Sequence, residues 1–509
     1  MEDTQDAVFA LLGDPATHGG AEVQRIDTHA ASVFLAGDRA LKVKHAVRFP
    51  FLDYSTLDKR KAACEAELEV NRAFAPDIYL GVVPIARQAD GRLVLGGDGE
   101  PVEWAVEMRR FDAAATLDRL AEQGRIDAAL ADRLGRVVAA AHAAAPAVAT
   151  EPWLEALVRF LDQNRDAFGA APDLFPPDAA ATLDRSSRAA LARLGPLLVT
   201  RGRRGLIRRG HGDLHLGNIA MIDAEPVLFD AIEFDPLIAA GDVLYDLAFL
   251  VMDLIERDLT EAANIMLNRY LAETRRDEDL DALAALPLFL SLRAAIRAKV
   301  TAARLHDAAA ADRPAITRSA QTYFALARRL IAPPSPKLVA VGGLSGTGKS
   351  VLARALAPHI APAPGAVVVR SDVERKALFG VGETDRLSAN AYRSDVMAKV
   401  YAALADKARR VTAAGHSAIV DAVFARADER AAIAAVAQSC DVTFHGLFLT
   451  ADLATRVARV GARERDASDA TADIARTQES YDLGAIDWTV VDASGTPDDT
   501  LAHAKASIS

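Results

Sequence analysis

The chain has 509 residues, of which 51% are apolar and 25% are charged, and its formal net charge at pH 7 is −11. This length favours two or three domains over a single core, and the apolar content excludes a disordered chain. The acidic balance argues against a general nucleic-acid binder or a binder of anionic membranes.

The cysteine content and the N-terminus indicate the compartment. Cys64 and Cys440 form neither a disulfide framework nor a metal-ligand spacing, which is typical of a reducing environment. The acidic start MEDTQDAVFALLGD lacks the basic residues and apolar run of a signal peptide, and no run of about 18 uncharged apolar residues occurs. We therefore expect a soluble, cytoplasmic protein that does not bind membranes.

Short strands and one helix are predicted in the first hundred residues. The strand-like segments are ASVFLAGDRALKVKH, YLGVVPIARQ, GRLVLGG and EWAVEMRRF. A helical stretch, LDKRKAACEAELEVNRAFA, lies between the first two of them. Residues from about 115 to 330 are mostly helical, apart from two short apolar runs around 206–232. The pattern predicts an α+β lobe followed by a helical lobe.

The segment HGDLHLGN predicts a phosphoryl-transfer loop. Asp213 can accept the proton of a substrate hydroxyl, while Asn218 and the later Asp230 can converge on Mg²⁺ that bridges ATP phosphates. Upstream, Lys42 lies on a predicted strand and Glu67 on the helix that follows. A strand lysine and a helix glutamate form the pair that anchors ATP phosphates in kinase-like folds.

Neighbouring residues compete for two of these roles. Lys44 lies on the same face of an alternating strand as Lys42, and we favour Lys42. Glu65 is a weaker rival to Glu67 on the helix.

With these residues in view, the segment from about 25 to 330 resembles the aminoglycoside phosphotransferase family of the protein-kinase-like fold. The loop has His-x-Asp followed by Asn, and the segment GDVLYDLAFLVMDL, with Asp242 and Asp246, also looks like the family's. The resemblance implies a bilobal α+β kinase domain. Because Asp213 already holds the position of the base, we interpret His211 and His215 as structural.

One departure from the kinase pattern concerns the loop before Lys42. No G-x-G-x-x-G sequence precedes this lysine, only THAASVFLAGD. The phosphate contacts of that loop must therefore come from Ser32 or nearby backbone, or be missing, which leaves open a weakened or inactive kinase.

A proline-rich linker divides the sequence. A charged helical pattern ends at Ile331, and three prolines follow within five residues, so that we place a boundary near 332–337. The predicted domains are 1–332 and 338–509. In the second, KLVAVGG, AVVVRSD, SAIVDAVF and TFHGLFL alternate with helical stretches, which is typical of an α/β domain with a parallel sheet.

The stretch GLSGTGKS satisfies the phosphate-loop pattern G-x-x-x-x-G-K-[ST], between an apolar strand and a helix-prone segment. Glycines let backbone amides approach phosphate without interference from a Cβ. Lys349 supplies charge to the β- and γ-phosphates, and Ser350 can ligate Mg²⁺. The predicted ATP contacts in this loop are Gly343, Ser345, Gly346, Thr347, Gly348, Lys349 and Ser350.

Strand ends and an arginine cluster complete the second predicted site. Asp372 is placed to accept the acceptor's proton, Arg375 to hold substrate or phosphate, and Asp421 to hold Mg²⁺. Further on, arginines at helix-neighbour spacing can close over the phosphates as a lid, and a solvated helix face is the alternative. They are Arg456, Arg459, Arg463 and Arg465, of which Arg459 and Arg463 are the predicted ATP contacts.

The segment 338–509 resembles the small P-loop kinases, a grouping with gluconate kinase, chloramphenicol phosphotransferase, zeta-toxin and polynucleotide kinase. The whole chain resembles bacterial fusions of an aminoglycoside-phosphotransferase-like domain with such a kinase. We expect ATP- and Mg²⁺-dependent phosphoryl transfer to a hydroxyl or amine of a small molecule, with two ATP sites. One domain as a nucleotide-binding regulator is an alternative. A toxin-like or nucleic-acid 5′-end kinase is a further one, against which the acidic charge argues.

Overall fold

The structure, a computed structural model, describes residues 2–49, 52–462 and 467–508. Its contacts divide the chain into two compact units, Met1–Phe160 with Leu198–Asp253, and Leu161–Leu197 with Leu254–Ser509. Among the described residues, no helix combines the length and apolarity that crossing a membrane requires.

An antiparallel sheet forms the N-terminal part of the first unit. Its elements are α1 (Glu2–Gly13), β1 (Val23–Asp27), β2 (Ala31–Ala36), β3 (Arg39–Lys44), β4 (Arg48–Phe49), β5 (Leu52–Asp53), α2 (Leu57–Arg72), β6 (Tyr79–Arg87), β7 (Leu93–Leu95) and β8 (Glu100–Arg109). Six of these strands pair in the order β1-β2-β3-β8-β6-β7, while β4 and β5 pair with each other. The predicted strands and helix are confirmed. The structure adds α1, the two-residue strands β4 and β5, and β1, whose residues are mostly exposed and which lacks an alternating apolar pattern.

The alternation of β3 sends its side chains to two different environments. Leu41 and Val43 pack with Val8 of α1 in one buried cluster. Lys42 and Lys44 point to the opposite face, toward α2. Because side chains of a strand alternate between its two faces, the ammonium groups of Lys42 and Lys44 both lie next to α2.

Mostly helical segments follow, as predicted. They are α3 (Leu117–Glu122), α4 (Ala128–Ala144), α5 (Thr150–Gly169), α6 (Pro177–Arg203), β9 (Ile207–Arg209), β10 (Ile219–Ile222), β11 (Glu225–Leu228), α7 (Pro236–Ala239), β12 (Ala240–Asp242), α8 (Val243–Glu256), α9 (Thr260–Thr274), α10 (Asp277–Asp281), α11 (Leu286–Ala303) and α12 (Arg313–Ile331). The short strands form two antiparallel ribbons, β10-β11 and β9-β12. They bracket the predicted catalytic loop.

A parallel sheet begins directly after the proline-rich linker. Its elements are β13 (Lys337–Gly343), α13 (Lys349–Leu356), β14 (Val367–Arg370), α14 (Ser371–Leu378), α15 (Ser394–Ala413), β15 (Ala418–Asp421), α16 (Ala427–Ser439), β16 (Thr443–Thr450), α17 (Leu453–Gly461), α18 (Ala472–Thr477), β17 (Thr489–Asp492) and α19 (Pro497–Ile508). The strand order is β14-β15-β13-β16-β17, with every neighbouring pair parallel.

This sheet confirms the predicted α/β class and its four predicted strands. Val339, Val341 and Ile419 are fully buried in its core, as apolar strands covered on both faces should be. The fifth strand, β17, was not predicted, because it has only four residues and three of them are exposed. The proposed boundary near 332–337 stays a prediction.

Candidate active sites

Lys42 lies at the centre of the first candidate site. Its Nζ donates to Glu67 Oε1 at 2.8 Å and to Asp230 Oδ1 at 2.9 Å. Burial opposes the charge on Lys42, but the carboxylates of Asp230 and Glu67 outweigh it and hold the pKa of this lysine well above its usual range. The strand lysine is thus charged, and it joins the helix glutamate to the predicted metal ligand.

Lys44 occupies a different environment. It is 3% exposed, and its Nζ lies 2.5 Å from Glu67 Oε2 and 2.5 Å from Glu233 Oε1. Glu65 is mostly exposed. The structure therefore brings Lys42, and not Lys44, against Asp230, and it places Glu67, and not Glu65, beside both lysines. Glu233, which the sequence reasoning missed, lies three residues after Asp230.

The predicted catalytic loop brings Asp213 and Asn218 together. Asn218 Nδ2 donates to the backbone oxygen of Asp213 at 3.0 Å and to its Oδ2 at 3.1 Å, so that Asn218 Oδ1 is the atom suited to a cation. His215 Nδ1 accepts from Gly217 N at 3.1 Å, which assigns the proton to Nε2, and Nε2 lies 3.4 Å from Asp213 Oδ2. His215 therefore orients the candidate base as well as the loop.

The ribbon that follows this loop sets the distance between the predicted metal ligands. Ile219 pairs with Leu228, and the backbone N–H of Phe229 donates to Asn218 O at 3.0 Å. Asn218 thus lies across the ribbon from the residue that precedes Asp230. Asp230 has a φ of 59°, and its N–H donates to the hydroxyl of Tyr79 at 3.1 Å.

Two carboxylates of α8 accept hydrogen bonds from the backbone of the predicted catalytic loop. Asp246 accepts from His211 N and Gly212 N, both at 2.9 Å, and Asp253 accepts from Leu216 N at 3.0 Å. Both carboxylates are buried. Asp246 lies in a segment that the resemblance singled out, and the spacing of seven residues to Asp253 is the signal that the sequence reasoning missed.

His211 supports the loop as expected of a structural residue. It is buried, its Nε2 hydrogen bonds to Phe229 O at 2.9 Å, and burial lowers its pKa. A neutral imidazole held by a backbone carbonyl fixes the chain, and Asp213 remains the candidate base.

Ser32 does not supply the phosphate contact considered for it. The side chain is fully buried, and its hydroxyl donates to Asp27 Oδ1 at 2.5 Å and lies 2.8 Å from His45 Nε2. Of the sequence alternatives, a contact from nearby backbone groups and a missing contact both remain.

The phosphate loop of the second candidate site requires its glycines. Gly343, Gly346 and Gly348 have φ values of 135°, 88° and 95°, which side-chain-bearing residues rarely adopt. A Cβ on Gly343 would lie 2.5 Å from Leu449 O, and one on Gly346 would lie 2.5 Å from Arg456 O. The glycines are therefore required by the backbone conformation of the loop and by its close packing against the backbone of Leu449 and Arg456.

Lys349 and Ser350 open helix α13, directly after the phosphate loop. Lys349 Nζ donates to Leu344 O at 3.1 Å, within the loop. Thr347 Oγ1 donates to the same carbonyl at 2.9 Å, and Ser345 N donates to Gln478 Oε1 at 2.7 Å. The loop is thus tied internally and to the segment that precedes β17.

Adjacent strands bring the predicted magnesium ligands of this site together. Ser350 Oγ donates to Asp421 Oδ2 at 2.5 Å, and Arg370 Nε lies 3.4 Å from the same oxygen. A hydroxyl and a carboxylate at hydrogen-bonding distance form the hard-oxygen pair that Mg²⁺ prefers, so that these residues fit the ion.

Asp372 and Arg375 contact each other one turn apart on α14. Arg375 Nη1 donates to Asp372 Oδ1 at 2.8 Å, and the guanidinium lies 4.5 Å from the centre of the Tyr392 ring. Arg375 is 4% exposed and its Nε has no hydrogen-bond partner among the described residues. The structure thus forms the pair predicted for the acceptor, with Tyr392 added.

The arginine cluster separates into different environments. Arg456 is buried and donates to Ser345 O at 3.0 Å, so that it stabilises the backbone of the phosphate loop. Arg459 donates to Ala493 O at 2.7 Å and Gly495 O at 3.0 Å, in the turn after β17. Arg463 and Arg465 lie outside the described residues. Among the described arginines of the cluster, the one in contact with the loop is therefore Arg456.

Comparison with known proteins gives two family matches at different parts of the chain. The model of the "Phosphotransferase enzyme family" matches residues 31–286, and the model of an "AAA domain" matches residues 338–482. An uncharacterized protein of Mycobacterium tuberculosis is 30% identical over 473 residues, which cover 90% of each chain, and one of Mycobacterium bovis matches equally.

Solved structures resemble the two parts separately. A choline/ethanolamine kinase family protein from Mesorhizobium loti is 15% identical, with a TM-score of 0.40, over 64% of this chain and 95% of its own. A gluconokinase from Sinorhizobium meliloti is 20% identical, with a TM-score of 0.26, over 34% of this chain and 91% of its own. On the family match over half of its length, the chain belongs to the phosphotransferase enzyme family of kinase-like fold, with a P-loop kinase domain after that region.

Proposed function

We propose that this protein is an ATP- and Mg²⁺-dependent phosphotransferase with two separate nucleotide sites, each acting on a small-molecule hydroxyl or amine. The observation that carries the proposal is the same combination at both sites. Each site has a lysine for phosphate, oxygen ligands suited to Mg²⁺ and a carboxylate suited to act as base, and hydrogen bonds join Lys42 to Asp230, Asn218 to Asp213 and Ser350 to Asp421. The first set is Lys42, Asn218, Asp230 and Asp213, and the second is Lys349, Ser350, Asp421 and Asp372.

The residues present fit both cofactors. Asn218 with Asp230, and Ser350 with Asp421, would hold magnesium, while Lys42 and Lys349 would hold the nucleotide phosphates. When bound, Mg²⁺ neutralises phosphate charge during transfer.

In the first site the chain's own groups orient the acceptor's proton transfer. Asp213 is the base, and hydrogen bonds from Asn218 Nδ2 and the approach of His215 Nε2 hold its Oδ2 in one orientation. Lys42 keeps its positive charge between two carboxylates, so that it can attract phosphate oxygens without a proton transfer of its own. Most of the rate enhancement then comes from positioning and fixed charge.

In the second site Asp372 takes the role of base at the start of α14. The Arg375 guanidinium holds one of its carboxylate oxygens, and Tyr392 packs on the guanidinium. Arg456 stabilises the phosphate loop through its hydrogen bond to Ser345 O.

A second candidate function gives the first site a regulatory role. It is favoured by Ser32, which is buried and engaged by Asp27 where a kinase loop would contact phosphates. In that case the N-terminal region would bind nucleotide and control the P-loop kinase without transferring phosphate itself.

We further propose a cytoplasmic location, which the two free thiols of Cys64 and Cys440 support. Nucleic-acid 5′ ends are the least favoured acceptor class, because the net charge of −11 opposes binding of a polyanion.

The test uses the full chain and a metabolite library with γ-labelled ATP. We expect labelled products that fall into two classes, one lost in Asp213→Asn and the other lost in Lys349→Ala. If each substitution removed every product, the sites would not be independent. If Asp213→Asn removed none, the regulatory alternative would replace the first kinase site, and labelled oligonucleotides would reopen the nucleic-acid class.

A further inference from the structure

Strand β14 is an edge of the parallel sheet, and side chains of α9 complete its hydrogen bonds. An edge strand presents unpaired backbone groups on its outer side. Val368 N donates to Asn268 Oδ1 at 2.7 Å, and Asn268 Nδ2 donates to Ala366 O at 3.1 Å. Asn264 Nδ2 donates to the same carbonyl at 3.1 Å. One side-chain amide thus takes the place of a peptide group from a further strand.

The approach of α9 to this edge is close and buried. Asn264 is 2% exposed, one helical turn before Asn268. Gly365 has a φ of 124°, and a Cβ there would lie 2.7 Å from Asn264 Nδ2. A residue larger than glycine would clash with Ala357 O through its Cβ and would displace the Asn264 side chain. A buried amide group that loses its hydrogen-bond partner costs free energy of folding. The hydrogen bonds of Asn264 and Asn268 therefore fix the position of α9 along the strand.

The next residue of α9 extends the contact to the loop after α14. Arg269 Nη1 lies 3.2 Å from Oε1 and 3.2 Å from Oε2 of Glu383. Beyond α9, Asp281 accepts from Arg410 Nη1 of α15 at 2.8 Å. Residues 260–281 therefore contact the helices and the loop that flank the second candidate site, all within the second compact unit.

Residues 379–393, which we name the acceptor segment, connect Glu383 to the candidate acceptor residues. Leu387 N donates to Asp469 Oδ2 at 3.2 Å, and the hydroxyl of Tyr392 donates to the same oxygen at 2.8 Å. The Tyr392 ring lies against Arg375. One part of the segment is thus fixed to α9, and a later part contacts Arg375, one of the two residues predicted to act on the acceptor.

We propose that Asn268 and Arg269 of α9 are positioning residues of the P-loop kinase, which set the acceptor segment over Asp372 and Arg375. The inference rests on the proposed function of that site and goes beyond it. In this proposal α9, which lies in the region that the phosphotransferase model matches, positions residues of the second active site. The P-loop kinase would then need α9 in addition to residues 338–509.

The test is hydrogen exchange of the acceptor segment in the full chain, for Arg269→Met, Glu383→Gln and the double variant. Loss of one partly buried ion pair should raise exchange of the segment about threefold in each single variant. The double variant should be no worse than Arg269→Met, because Arg269→Met already removes the contact with Glu383 along with that to Glu273. Arg269→Lys should restore most of the protection. Arg318→Met, at an exposed arginine of α12, is the matched control and should change nothing.

Kinetics separate positioning from a merely structural role. With an acceptor of the Lys349-dependent reaction, Arg269→Met should raise the acceptor KM several-fold, while the affinity for a nonhydrolysable ATP analogue stays within about twofold. Unchanged exchange in both single variants, additive effects in the double variant, or an unchanged acceptor KM would each overturn the inference. Absence of any Lys349-dependent product would instead count against the proposed function, and the exchange measurement would still decide whether α9 holds the segment.

Discussion

Two lysines share one buried carboxylate in the first site, and their second partners give them different roles. Lys42 reaches Asp230 at 2.9 Å, whereas Lys44 reaches Glu233 at 2.5 Å and is almost fully buried. The two ammonium groups outweigh the cost of burial on Glu67 and lower its pKa. A buried charge of this kind is stable only while its partners remain, so that each lysine has a structural role and only one also faces the candidate metal ligand.

Substitution should separate these roles. We expect Lys42→Met to abolish nucleotide binding at the first site, because it removes the charge beside Asp230. Lys44→Met leaves Glu67 and Glu233 short of a partner and should cost about 3 kcal/mol of the free energy of unfolding. Calorimetric titration with an ATP analogue in a Lys349→Ala background, together with urea unfolding, measures both. Equal loss of binding in the two variants at temperatures where both are folded would contradict the assignment.

A buried histidine predicts a pH dependence of the P-loop unit. Burial lowers the pKa of His416 from 6.5 to about 4, and its Nε2 donates to Gly365 O at 2.9 Å. As the pH falls below 6.5, His416 becomes protonated in the unfolded chain but stays neutral in the folded chain. The free energy of unfolding therefore decreases between pH 6.5 and 4.

The loss should reach at most about 3 kcal/mol at pH 4, relative to pH 7. His416→Gln, which removes the titrating group, should remove this part of the pH dependence of urea unfolding. His306→Gln is the control, because the His306 side chain is 91% exposed. An unchanged pH profile in His416→Gln would show that folding does not lower the pKa of this histidine.

Helix α8 shows how an element outside the motif determines the motif's geometry. Asp246 and Asp253 lie seven residues apart on one face and hold the two ends of the loop 211–218 by its backbone. The approach is so close that a Cβ on Gly210 would lie 2.5 Å from Asp246 Oδ2. The loop's shape thus depends on a helix that contributes no group to the chemistry.

Asp246→Ala should therefore affect catalysis and folding together. Two buried N–H groups would lose their acceptor, at a cost of about 3 kcal/mol in the free energy of unfolding. The displaced loop should lower kcat for the Asp213-dependent reaction about 100-fold. Asp178→Asn, at an exposed aspartate in the first turn of α6, is the control for both measurements. An Asp246→Ala protein with normal kcat would contradict the role assigned to α8.

The phosphate loop gives a sharper prediction for a single glycine. Gly346→Ala would place a Cβ 2.5 Å from Arg456 O at a φ of 88°, so that the loop must move. We expect loss of nucleotide binding at the second site and no change at the first. Gly195→Ala is the matched control, since a Cβ there meets nothing within 4 Å inside α6. Calorimetric binding that survives in Gly346→Ala would show that the loop tolerates a different conformation.

Strong local patterns made most elements and motif residues predictable. The alternation of β3 narrowed the phosphate lysine to Lys42 or Lys44, and the apolar strand β13 before the phosphate loop identified Lys349. The exposed β17 and the charged β1 carry no such pattern. The choice between Lys42 and Lys44, the contacts of Asp246 and the separation of Arg456 from Arg459 depend on contacts over more than 30 residues, which local spacing does not encode.

In the molecule as a whole, the described residues of each candidate site lie within one compact unit. All named residues of the first site lie in Met1–Phe160 and Leu198–Asp253, and all those of the second lie in Leu161–Leu197 and Leu254–Ser509. Helices α9 to α12 belong to the same compact unit as the P-loop sheet. Two nucleotides per chain are therefore expected, each held by its own lysine.

Isothermal titration of the full chain with Mg²⁺ and a nonhydrolysable ATP analogue tests this most directly. We predict two bound nucleotides per wild-type chain, one in Lys42→Met, one in Lys349→Ala and none in the double variant. A single nucleotide per wild-type chain, abolished by Lys349→Ala and unaffected by Lys42→Met, would contradict the account.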